Sequence, residues 1–123
     1  MAHPVLKIHL NGRFRIIGTD GREVRLASAK AQGVVALLAT ESHLTRQRLW
    51  IQDELWSSSE AEKGANSLRQ VLFQIRKALG ENANVLEADR TTVRLSADRV
   101  RVVEAEEGEF LEGIDVGDPE FES

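Results

Sequence analysis

Cysteine is absent from this sequence. That excludes a disulfide framework and any zinc site built on thiolates. No run of eighteen apolar residues occurs, and the N-terminus carries no apolar export segment. A membrane span and a secretory signal are therefore not expected, and the reading is a cytoplasmic protein. The sequence motifs of phosphate-cradling loops (G-x-x-x-x-G-K-[ST]), zinc proteases (H-E-x-x-H) and serine hydrolases (G-x-S-x-G) are missing. His3, His9 and His43 are scattered without metal-ligand spacing. The acids Asp115, Asp118, Glu120 and Glu122 do not follow a calcium-loop pattern. Neither an enzyme nor a metal or other cofactor is expected.

Basic residues are absent from one part of the chain. All 16 Lys and Arg lie in residues 1–103 beside 11 Asp and Glu, a balance of +5. Residues 104–123 hold 9 acids and no base, a balance of −9. The net charge of −4 thus hides a basic domain followed by an acidic tail or linker. At 123 residues the chain suits one domain with a modest core.

The segment most informative about function is 59–80. Leu68, Leu72, Ile75 and Leu79 recur at helical spacing and predict one apolar stripe. Ser59 and Glu62 have capping-box spacing, and Gly80 stands where a left-handed C-cap residue belongs. The opposite face carries Asn66, Arg69, Gln70, Phe73 and Lys77. It combines cations, amides and an aromatic ring, and it has no acid. Those are the side chains that pair with guanine, adenine and the thymine methyl group.

Before that helix, 5–10 and 13–17 alternate as strands around an Asn11-Gly12 hairpin signal. Asp20-Gly21 marks a further turn, with a third short strand expected at 23–26. Ser28 can cap a core helix over 29–39, and Thr45 a second helix over 46–56. Ile51 and Leu55 of that helix face the core, Trp56 closes it, and Trp50 points elsewhere. A polar turn at 57–59 leads into the third helix, and 81–84 reads as a polar loop. Strands at 85–88 and 92–95 form a hairpin whose basic, hydroxyl-bearing tip holds Arg90, Thr91, Thr92 and Arg94. A last strand covers 100–103. Lys30, Arg46 and Arg48 lie near helix N-termini, where phosphates can bind.

The stretches LNGRFRI, KAQGVVALLA, LTRQRLWIQDELW, SLRQVLFQIRKALG and VLEADRTTVRLSADRVRV occur in that order. In this order the chain resembles the OmpR/PhoB-type winged helix-turn-helix domain of SARP-like bacterial transcriptional activators over roughly residues 5–103. The resemblance implies an α+β fold with an N-terminal antiparallel sheet, three helices and a C-terminal β-hairpin wing. It implies sequence-specific binding of double-stranded DNA, with the third helix in the major groove and the wing on the adjacent groove. Asn66, Ser67, Arg69, Gln70, Phe73, Gln74 and Lys77 are then the helix contacts. Arg90, Thr91, Thr92 and Arg94 are the wing contacts.

The resemblance further implies a homodimer on tandem sites and a contact to RNA polymerase through the loop before the third helix. Here that loop is Ser57-Ser58-Ser59-Glu60, without a base. Residues 104–123 would lead to an effector domain. The alternative reading is a winged-helix module that docks on RNA polymerase or an effector domain, anchored by Phe73 and Trp50.

Overall fold

The computed structural model describes residues 4–10 and 14–103. The Asn11-Gly12 turn, His3 and the acidic segment 104–123 lie outside the described residues. Over the described residues the chain is a small α+β protein with three α-helices and two three-stranded sheets. Among the described residues, no helix is long and apolar enough to cross a membrane.

The first sheet begins with β1 (Leu6–His9) and β2 (Arg15–Gly18), paired antiparallel with Ile8 opposite Ile16. Alternation drives the pairing. Leu6, Ile8, Phe14 and Ile16 are buried, while Lys7 and Arg15 face water. The third member is not the expected strand at 23–26. It is β6 (Val100–Val103), which lies parallel to β1 with Leu6 opposite Val100. Segment 23–26 contributes a single bridge, Ile17 to Glu23. The turn before it is tight: Gly21 has φ 83, and the Gly18 N–H donates to Arg22 O at 2.8 Å. Val24 and Leu26 then pack against the core instead of extending a ladder.

Helix α1 (Ala29–Ala39) has the expected bounds. Ser28 Oγ accepts the Ala31 N–H at 3.1 Å, the expected cap. Eight of its residues are buried, including Gly33, so it is the central core helix. Leu44, itself buried, adopts φ 56 and reverses the chain.

The next residues differ from expectation. Thr45–Gln47 form a strand, β3, and the Thr45 hydroxyl donates to His43 O instead of capping a helix. β3 pairs antiparallel with β5 (Thr92–Leu95), Arg46 opposite Val93, and β5 pairs with β4 (Leu86–Ala88). Three residues that satisfy their backbone in a sheet cannot also start a helix. Helix α2 (Arg48–Leu55) therefore begins two residues later, without a side-chain cap.

Helix α3 (Ala61–Leu79) buries Gly64, Leu68, Val71, Leu72, Ile75 and Leu79. Its N-cap is Glu60, which makes no side-chain cap bond, so the Ser59–Glu62 capping box does not form. The Ser59 N–H donates to Trp56 O at 3.0 Å, which closes the turn after α2 and leaves Ser59 one residue too early. Gly80 has the expected positive φ, 60°, but a ψ of −121° outside the left-handed helical region. The chain leaves α3 into a 3-10 turn over Gly80–Val85 in place of the expected loop. The core runs continuously from the first sheet through α1 to the faces of α2, α3 and the second sheet.

Candidate nucleic-acid interface

Burial of the Leu68–Leu79 stripe fixes the rotation of α3 and turns the opposite face outward. Asn66, Arg69, Gln70, Phe73 and Lys77 are all exposed, as their helical phase requires. Ser67 and Gln74 flank this face and are half-buried. Arg69 Nη1 donates to Asn66 Oδ1 at 3.3 Å, one turn back along the helix. Gln74 Oε1 is buried without a hydrogen-bond partner. Lys63 also belongs to this face. It lies seven residues before Gln70, within about 20° on the helix circumference, and it is exposed. The sequence signal for it was the same heptad spacing.

The β4–β5 hairpin presents Arg90 and Thr91 at its tip, both exposed. Asp89 shapes that tip. Its Oδ1 accepts the Thr91 N–H at 2.9 Å and the Thr92 N–H at 2.8 Å. The hydroxyls of Thr92 and Thr91 donate to the same oxygen at 3.1 and 3.4 Å. Those donors, the Thr91 and Thr92 amides foremost, lower the Asp89 pKa to about 2. Both hydroxyl protons are thus committed to Asp89. Arg94 is committed too: its Nη2 and Nε donate to Glu87 Oε1 across the hairpin at 2.7 and 3.1 Å.

A cleft of about 440 Å³ joins the two halves of the site. It is lined by Ala65 and Arg69 of α3, by Arg90 and Thr91 of the hairpin tip, and by Gln47, Arg48, Leu49 and Gln52 at the start of α2. A second depression of about 480 Å³ lies farther along α3, formed by Arg69, Gln70, Phe73, Gln74 and Lys77. The structure therefore brings Arg69, Arg90 and Thr91 together. Thr92 and Arg94 do not line that cleft, and Lys77 belongs to the second depression.

Three cations near helix starts have internal roles instead. Arg48 Nε donates to Asp89 O at 2.6 Å, and the Arg48 N–H donates to Thr91 O at 2.8 Å. This residue ties α2 to the hairpin tip. Arg46 Nε donates to Leu37 O at 3.0 Å, and its guanidinium lies 4.2 Å from the Trp50 ring centre. Lys30 Nζ donates to Leu55 O at the end of α2 and lies over the Trp56 ring. Its ammonium is held by a carbonyl at a helix C-terminus, where a cation is favoured.

Leu49 was not foreseen as part of the site. It is 74 % exposed, against 36 % for Trp50. The signal lies in its phase: Leu49 falls outside the Ile51–Leu55 stripe and so cannot reach the core. Among the described residues, no group of three or more His, Asp or Glu side chains is placed to hold a metal ion. No family model matches the chain, and no curated protein sequence matches it.

Proposed function

We propose that residues 1–103 form a winged helix-turn-helix domain that binds double-stranded DNA sequence-specifically, as part of a bacterial transcriptional regulator in the cytoplasm. In this reading α3 enters the major groove and the β4–β5 hairpin is the wing on the adjacent groove. The observation that carries the reading is the shared cleft: Arg69 of α3 and Arg90 of the hairpin tip face the same space. A major groove about 12 Å wide admits one helix, and α3, at about 1.5 Å per residue, is long enough to cross it.

Roles divide by exposure and by partner. Arg69, Gln70 and Asn66 present hydrogen-bonding groups suited to base edges. Lys63, Lys77 and Arg90 are exposed, and no ion pair engages them among the described residues, which suits phosphate contacts. Gln74 and Ser67 sit at the margin of the face. Arg94 and Thr92 act on the shape of the wing through Glu87 and Asp89. A homodimer on tandem sites and a contact to RNA polymerase belong to the same proposal.

Selection of bound sites from a random duplex library tests this directly. Enrichment of one motif is the expected result. Uniform weak binding to all duplexes would leave electrostatics without readout. No binding at low salt would overturn the reading. The second reading, a protein-docking module, is favoured by the exposure of Leu49 and Phe73. It predicts capture of a protein partner that Leu49→Ser weakens, with no dependence on DNA.

A further inference from the structure

Phe73 stands in the middle of the exposed α3 face with 68 % of its surface in water. It contributes little to the core, which the stripe on the far side of the helix supplies. Arg69, Gln70, Gln74 and Lys77 surround it and form a shallow depression with it. From Lys63 to Leu79 the helix carries four cations and no acid. The ring is thus set in a surface that attracts a polyanion and disfavours a basic partner. The major groove of a duplex offers one apolar group at the base edges, the C5-methyl of thymine.

We infer that Phe73 is a specificity-determining residue that reads a thymine methyl group in the bound duplex. The inference rests on the DNA-binding reading above and adds the base to be recognised. Gln70 is adjacent to the ring and carries the amide that matches adenine, the base opposite a thymine. Arg69 and Phe73 are four residues apart, about 6 Å along the axis at 1.5 Å per residue. Base pairs are spaced about 3.4 Å apart. The thymine therefore lies within about two base pairs of the base that Arg69 contacts.

Deoxyuridine provides a test that leaves every hydrogen-bonding group of the duplex in place. Each thymine of the library-selected site is replaced singly, and binding of the full chain is titrated by fluorescence anisotropy. At one position the loss of the methyl should weaken binding about fourfold, the equivalent of ~0.8 kcal/mol at about 1.4 kcal/mol per tenfold. Phe73→Ala should bind the thymine and deoxyuridine duplexes equally, whereas Phe73→Leu should keep part of the difference. The wild-type comparison needs no variant to fold.

Site-selective binding with no thymine position sensitive to deoxyuridine would overturn the inference and leave the DNA-binding reading standing. So would a Phe73→Ala protein that still discriminates the two duplexes, or a selected site that requires no thymine. Absence of binding to any duplex would remove the underlying reading, and this inference with it.

Discussion

If the proposed DNA binding holds, the response of affinity to salt can be worked from the side-chain partners of the cations. Each phosphate neutralised by Lys or Arg contributes about −0.9 to the slope of log K against log salt. Counting basic residues in the helix and hairpin segments alone suggests about five contacts and a slope near −4.5. The structure lowers that number. Arg94 is paired with Glu87, and Arg76 Nη2 reaches Leu86 O at 3.4 Å. In that proposal Lys63, Lys77 and Arg90 remain for phosphates, and Arg69 is assigned to bases. Three contacts give a slope near −2.7, or about a 40-fold loss of affinity between 50 and 200 mM salt. Five contacts would give about 500-fold over the same range. Anisotropy titrations of one labelled duplex across that range would separate the two. Lys63→Ala, Lys77→Ala and Arg90→Ala should each flatten the slope to about −1.8, while Arg94→Ala leaves it at about −2.7. A slope of −4 or steeper in the wild type would refute the assignment. So would flattening by Arg94→Ala, because Glu87 would then have to release its partner on binding.

Three further outcomes are expected. Arg69→Ala should cost about 1–3 kcal/mol in affinity and relax base preference at one position of the site, without changing the salt slope; a selected motif identical to the wild type would exclude Arg69 from readout. Asp89 has a folded pKa of about 2 against an ordinary 3.8, so its contribution to the ordered tip is complete above that ordinary value and lost as pH falls through about 2. The amide resonances of Thr91 and Thr92 should follow that low midpoint, and in Asp89→Ala they should lose the transition; a midpoint near 3.8 in the wild type would contradict the geometry. Gly64 is a helix-interior glycine, and a Cβ there would meet Gln52 Oε1 at 3.5 Å and Trp56 Cβ at 3.8 Å, ordinary contacts. Gly64→Ala should therefore raise stability by about 0.5–1 kcal/mol in urea unfolding, and a loss of stability would mean that α2 and α3 cannot accept the methyl.

Legibility in the sequence followed the range of the interactions. Helix α1 was readable to the residue because Ser28, the apolar run and the cap bond to Ala31 are all local. The exposed face of α3 was readable because one buried stripe fixes the rotation of the whole helix. The start of α2 was not, since Thr45–Gln47 obeys a partner almost fifty residues away, β5. The same holds for the first sheet. Nothing between residues 23 and 26 announces that β1 prefers the last strand as its neighbour. The internal partners of Lys30, Arg46 and Arg48 were not legible for a related reason. Proximity to a helix start suggests an anion, whereas the folded chain places a carbonyl within reach of each.

Those internal bonds have a consequence for the site. Arg48 holds the hairpin tip through both its N–H and its guanidinium, and it opens the helix that packs on α3. Asp89 gathers four donors from Thr91 and Thr92, so the tip has a set shape before any ligand arrives. Arg90 is thereby carried on a braced turn that lines the same cleft as Arg69 in the free protein. A preformed arrangement reduces the side-chain and loop ordering that binding would otherwise require. At the cleft the arginines thus divide: Arg48, bonded to a hairpin carbonyl, ties α2 to the tip, while the exposed Arg69 and Arg90 both line the space between helix and hairpin. Loss of Arg48 should therefore loosen the hairpin tip against α2 and with it the cleft that Arg48 lines.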